Sequence, residues 1–200
     1  MVEDDTPFVL IDLSLTNNRI HSLPSAIFAQ LGNLEELSFN PLGDMDDSTA
    51  TAIGSVVSLH FLSLSECQLS FLPEPLLSGL TQLLRLDLSG NYFTSVDPRI
   101  RLAPSLASLA LDNNHIQILD HTSFEGLENI RNLSVSENLY FSKIEKDTFT
   151  PLLNLEDLRI IKNPSLSWIH PRPGQQTRTI WASCFKFKYF CYPIRTLDIS

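Results

Sequence analysis

Four carboxylates are the first candidates for chemistry: Asp87 and Asp112, with Glu66 and Glu137 some two dozen residues to either side. Paired carboxylates serve as general acid and base, or as oxygen ligands for calcium. We read these four instead as a solvated acidic face. The five histidines, at 21, 60, 115, 121 and 170, have no metal-ligand spacing. There is no G-x-S-x-G elbow, no phosphate-binding loop and no nucleophile–base pair. The sequence thus predicts no catalytic residue, no metal site, no cofactor and no enzymatic activity.

Charge narrows the partners. The chain carries 14 Lys and Arg against 23 Asp and Glu, a net charge of −9. Neutralising phosphates with Lys and Arg dominates affinity for nucleic acid, so this balance predicts no nucleic-acid partner. The charge is uneven: residues 1–157 hold 22 acids and 7 bases, whereas residues 158–200 hold 7 bases and only Asp198. The N-terminus, "MVEDDTPFVL", has no basic segment of the kind that opens a signal peptide. No apolar run approaches the roughly 18 residues of a spanning helix, so a membrane would be reached only through parts outside this chain. Three cysteines are too few for a scaffold built on disulfides.

The elements that position these residues follow from an internal repeat. "LIDLSLTNNRI" (10–20), "LHFLSLSECQL" (59–69), "LLRLDLSGNYF" (83–93) and "LASLALDNNHI" (106–116) share one pattern. "IRNLSVSENLY" (130–140) and "LEDLRIIKNPS" (155–165) follow it, and "LEELSFNPLGD" (34–44) is a weaker copy. The pattern is L-x-x-L-x-L-x-x-N/C-x-L, with Ser165 at its final position in the last copy, and it recurs every 23 to 25 residues. A second half, L-P-x-x-x-F-x-x-L, appears in "LPSAIFAQL" (23–31), "LPEPLLSGL" (72–80), "LDHTSFEGL" (119–127) and "IEKDTFTPL" (144–152).

Seven copies in register resemble the leucine-rich repeat family, in the longer "typical" form common in extracellular proteins. The resemblance covers residues 10 to about 169. It implies an α/β-type, right-handed solenoid: a parallel concave sheet, with irregular turns or short helical segments on the convex side. Within x-L-x-L-x the chain is a short strand, so Leu109 and Leu111 point one way and Ser108, Ala110 and Asp112 the other. The backbone turning inward after the strand needs partners, and an amide supplies both donor and acceptor. Asn18, Cys67, Asn91, Asn114, Asn138 and Asn163 are expected to form that ladder, with Phe28, Phe124 and Phe149 filling the convex core. Leu42 replaces the amide in the second copy, and the acidic "GDMDDSTA" (43–50) after it predicts a looser turn. Cys67 reads as a buried structural thiol.

Ligand-binding residues are expected on the concave face, where solenoids usually bind. Phe61 and Arg85 should be neighbours with Tyr92 near the rim, a combination typical of interface anchors. Asp87, Ser108, Asp112 and His115 complete the candidate surface. "NLS" at 132–134 makes Asn132 a glycosylation candidate, projecting from the same face.

The last fifth departs from the repeat. Residues 170–193 carry no acid and lack the pattern, while "IRTLDIS" (194–200) starts a further repeat. The organisation is therefore a repeat array over 1–169, an atypical basic and aromatic insertion over 170–193, and a truncated repeat over 194–200. Cys184 and Cys191 could close the insertion as a disulfide; alternatively the segment has no evolved role, the reading favoured by its abrupt change in composition. Polar caps are missing at both ends, which reads as part of a longer array. The expected function is a non-catalytic module of an extracellular or cell-surface receptor or matrix-type protein, binding a protein or other macromolecule. The alternative is a cytoplasmic scaffold for a signalling enzyme.

Overall fold

An L-x-L strand buries its leucines only by stacking against copies of itself, and the chain is arranged so that it does. The computed structural model describes residues 9–43 and 45–170, with the backbone of two further strands at 179–182 and 197–198. Concave strands are β1 (Asp12–Ser14), β2 (Glu36–Phe39), β3 (Phe61–Leu64), β4 (Arg85–Asp87) and β5 (Ser108–Ala110). A short convex strand, β6 (Ile118–Leu119), then alternates with concave β7 (Asn132–Ser134), convex β8 (Lys143–Ile144), concave β9 (Asp157–Ile160) and convex β10 (Trp168–Ile169). Strands β11 (Thr179–Ala182) and β12 (Leu197–Asp198) follow.

Among the described residues the concave strands form one parallel nine-stranded sheet, in the order β1-β2-β3-β4-β5-β7-β9-β11-β12. Register follows the repeat: Leu13, Leu37, Leu62, Leu86, Leu109, Leu133 and Leu158 are paired in succession. From Leu37 to Leu158 this column is at most 2% exposed, and each such leucine stabilises the fold by about 1.5–3 kcal/mol relative to an exposed one. Strand β11 continues the register, with Ile180 opposite Leu158, so part of the 170–193 segment contributes a strand to the array.

The ladder works between coils. Asn91, Asn114, Asn138 and Asn163 donate through Nδ2 to the carbonyls of Leu64, Leu88, Leu111 and Val135, each in the preceding coil. Their Oδ1 atoms accept from backbone N–H groups of that same coil: Leu69, Phe93, Asn114 with Ile116, and Asn138. Cys67 imitates the donor weakly, its Sγ lying 3.9 Å from Phe39 O and 3.3 Å from Ser65 O. Burial pushes that thiol up to about 11. Asn18 differs from the expectation. It is exposed, and among the described residues its side chain bonds only to Leu15 O and Thr16 O of its own coil.

The residue before each ladder position is left-handed: Asn17, Glu66, Gly90, Asn113, Glu137 and Lys162 have φ between 50° and 70°. This kink turns the next side chain inward. In the second coil the position is Pro41, whose ring forbids positive φ. There Leu42 is buried, and the Gly43 N–H donates to Ile20 O at 2.8 Å, as Tyr92 N does to Leu69 O and His115 N to Phe93 O in coils that have an amide.

Nor is the acidic stretch after it a loose turn. It forms helix α1 (Asp47–Gly54), capped by Asp46, whose Oδ1 accepts from Thr49 N at 2.8 Å. A second helix, α2 (Pro75–Ser78), and a 3-10 turn (Pro98–Leu102) lie in the next two coils. The convex side also holds a parallel ribbon, ordered β10-β8-β6, that the repeat pattern does not announce. Phe28, Phe124 and Phe149 are buried there, the last two stacked with centroids 5.8 Å apart.

A second set of bonds joins the convex half-repeats. Thr49 Oγ1 accepts from Leu23 N, and Asp97 Oδ2 accepts from Leu72 N, both at 2.8 Å. Thr148 Oγ1 donates to Leu119 O at 3.1 Å. Three residues of differing character thus satisfy the first residue of three half-repeats.

Candidate functional site

Strand residues that skip the core make three rows across the concave sheet. The first row runs Glu36, Phe61, Arg85, Ser108, Asn132 and Asp157. Arg85 reaches across the intervening coil to Glu36, Nη2 to Oε1 at 3.0 Å, and its guanidinium carbon lies 4.9 Å from the centroid of the Phe61 ring. Phe61 is half-buried beneath it. The register therefore brings Phe61 and Arg85 together as expected, with Glu36 as a third member. Exposed ion pairs of this kind contribute at most about 1 kcal/mol, so the assembly orients the guanidinium more than it stabilises the fold.

The second and third rows contain the carboxylates. Asp87 Oδ1 accepts from Ser89 N at 2.9 Å. Asp112 Oδ1 accepts from Ser134 Oγ and Ser136 N, both at 2.6 Å. Both carboxylates are engaged as acceptors, Asp87 within its own coil and Asp112 across to the next. Glu66, Asp112 and Glu137, with Arg159 and a row of serines, line an open groove of about 330 Å³ where the strands end. Glu137 accepts from Lys162 Nζ at 2.8 Å, and this bond holds the amine above its ordinary range. Among the described residues no group of three or more His, Cys, Asp or Glu is placed to hold a metal ion.

Tyr92 and His115 do not join the Phe61 row. They follow the ladder residues Asn91 and Asn114, and so project from the rim beyond the strands. Their rings stack with centroids 5.2 Å apart, and His115 meets Tyr140 edge-on at 5.4 Å. Tyr140 belongs to this ridge because the sixth coil has one extra residue there. Phe141, fully buried, takes the closing apolar place that the repeat alignment gives to Tyr140. Two adjacent aromatics, Tyr140 and Phe141, were the signal of that ambiguity.

Asn132 is exposed on β7, while Ser134 of the same tripeptide is turned toward Asp112. On the convex ribbon Lys143 lies over the Trp168 ring, 4.9 Å from its centroid, a pairing the sequence pattern gave no reason to expect. Cys184 and Cys191 lie outside the described residues.

Two leucine rich repeat family models match the chain, over residues 58–80 and 104–164. A solved chain in a crystal structure of a TLR13–ssRNA13 complex superposes with a TM-score of 0.72 at 25% identity, covering 88% of this chain and 24% of its own. The chain is a leucine-rich repeat solenoid. Toll-like receptor 9 of Mus musculus is 34% identical to it over 133 residues, 64% of this chain and 11% of the receptor. Tsukushi of Gallus gallus is 28% identical over 181 residues, 78% of this chain and 48% of the relative. The solenoid thus spans less than half of either relative.

The RNA complex corrects the expectation that charge excludes nucleic acid. A chain of the same fold at 25% identity is solved with single-stranded RNA bound. Net charge sums over a whole chain, whereas recognition depends on the local potential and on stacking surfaces. The −9 of this solenoid therefore does not decide its class of partner.

Proposed function

We propose that the solenoid is a non-catalytic binding module that takes a macromolecular ligand on its concave face, as part of an extracellular or cell-surface receptor or matrix-type protein. The observation that carries this reading is the Glu36–Phe61–Arg85 assembly, an aromatic and a guanidinium presented together in the first concave row. Aromatic and Arg residues are the side chains on which interface energy concentrates. The likeness to Toll-like receptors and the L-P-x-x-x-F-x-x-L half-repeats support the receptor setting. Asn132, exposed in the same row, is the glycosylation site of this reading, and a glycan there would restrict ligands to the opposite part of the face. The carboxylates engaged by serines and backbone support a non-catalytic role.

A photo-crosslinking residue placed at Ser108 and, separately, at the exposed convex Leu153 tests the concave assignment. In the protein displayed on cells, adducts should form from position 108 and be lost on Arg85→Ala. Adducts formed only from position 153 would refute the proposal. A cytoplasmic scaffold for a signalling enzyme would instead leave Asn132 unglycosylated and the protein in the cytosol.

A further inference from the structure

The rim beside the concave face presents something the concave rows do not: three aromatic rings in continuous contact across three coils. Tyr92 is 47% exposed and Tyr140 57% exposed, with His115 between them. Each ladder residue points inward, so its chain neighbours on either side point out along this rim. Tyr92 and His115 follow Asn91 and Asn114, and Glu66 and Glu137 precede Cys67 and Asn138. Rings and carboxylates thus flank the same ladder positions; Glu66 and Glu137 line the groove with Asp112 and Arg159, and Glu137 is held by Lys162.

We propose that this ridge binds an extended, arginine-rich segment of a protein partner. The inference rests on reading the chain as a binding module, but it uses a surface outside the strand rows. Ring faces attract cations, and a planar guanidinium both stacks on a ring and pairs with a carboxylate, which an ammonium does less well. The molecule contains one such arrangement internally, with Arg85 over Phe61 and paired to Glu36. On the rim Glu137 is already paired with Lys162, so Glu66 is the carboxylate that a partner's guanidinium would meet beside the rings. With centroids 5.2 and 5.4 Å apart, the ridge matches three to four residues of extended chain at about 3.3 Å per residue.

Fluorescence anisotropy of the full chain with a labelled nine-residue peptide alternating arginine and glycine tests this. A lysine counterpart and a single-stranded oligouridine serve as competing probes. The arginine peptide should bind tighter than the lysine peptide. Tyr92→Leu with Tyr140→Leu should weaken it about tenfold, whereas Tyr92→Phe with Tyr140→Phe should not. Glu66→Lys, an exposed change independent of the rings, should weaken it as well, and Glu125→Gln with Glu128→Gln on the far surface should leave it unchanged. Equal loss in the Glu125/Glu128 variant would mean bulk attraction and overturn the proposal. So would undiminished binding by the Tyr→Leu variant, or oligouridine binding tighter than the arginine peptide. Loss of the ridge should not alter crosslinking from position 108, which separates this inference from the concave-face reading.

Discussion

Asn138 and Leu42 occupy the same place in two coils of one solenoid and solve its problem in opposite ways. Asn138 spends its whole amide on backbone, bonding Leu111 O, Ser136 O, Asn114 N and Ile116 N. Leu42 makes no such bond. Its coil keeps the Gly43 N–H to Ile20 O bond and the Thr49 bond to Leu23, both shared with coils that have an amide, and adds helix α1. The difference teaches that the array demands satisfied backbone, not an amide as such. Where Pro41 denies the left-handed kink, a buried apolar side chain fills the ladder place, and the backbone bond common to the other coils remains.

The largest effect that would sharpen this contrast comes from exchanging the two residues. Asn138→Leu leaves buried donors and acceptors in two coils without partners, and should cost roughly 3–5 kcal/mol. Leu42→Asn should also destabilise, by about 1–3 kcal/mol, because it puts an amide in a fully buried apolar place where Pro41 denies the kink that aims the other amides at backbone. Urea midpoints followed by circular dichroism measure both. A stabilising Leu42→Asn would break the comparison, since the second coil would then be a defective copy and not an alternative.

Cys67 is intermediate between these extremes, and pH isolates it. Its folded thiol ionises at about 11, whereas an unfolded thiol does so near 8.5. A folded value raised in this way gives stability that is complete below the unfolded value and lost as pH rises toward the folded one. Stability should fall between about pH 8.5 and 11, on the order of 2 kcal/mol from this group, and Cys67→Ala should flatten that slope. An unchanged alkaline slope in the variant would show that Cys67 is not held as the buried thiol the ladder requires.

The smallest effect lies at the helix of the second coil. The Thr49 N–H bond holds the Asp46 carboxyl below the usual carboxylate range. Its contribution is therefore present above an unfolded value of about 3.9 and is lost as pH falls through the lower folded value. Asp46→Ala should lower the melting midpoint slightly at neutral pH and become indistinguishable from the parent in strong acid. A difference that persists below about pH 2 would mean the cap acts by some route other than its charge.

What was legible in the sequence shares one physical property: it repeats with the residue type unchanged. The leucine column, the four buried asparagines and the three phenylalanines each keep their chemistry from coil to coil, so periodicity exposes them. The Thr49, Asp97 and Thr148 set fills one role with three side chains, and no pattern of residue types could reveal it. Helix α1 was hidden for a related reason. An acidic run suggests a mobile turn, yet Asp46 followed three residues later by Thr49 is also a helix start, and Leu23 on the neighbouring coil decides between them. Of the candidate surface, the register of β3 and β4 put Phe61 beside Arg85 as the repeat implied. Tyr92 was expected near the rim; His115 stands there with it, because one residue past the ladder the chain has left the strand. The class of partner was misjudged from a summed charge, a quantity with no position in space.

The direction of the ladder has a consequence for how such a chain is made. Every buried amide reaches back: Asn114 completes the coil of Asn91, Asn138 that of Asn114, and Asn163 that of Asn138. During synthesis a coil therefore leaves the ribosome with backbone donors still open, and they close only when the next 23 to 25 residues have followed. Each coil is a template whose buried backbone only its successor can finish.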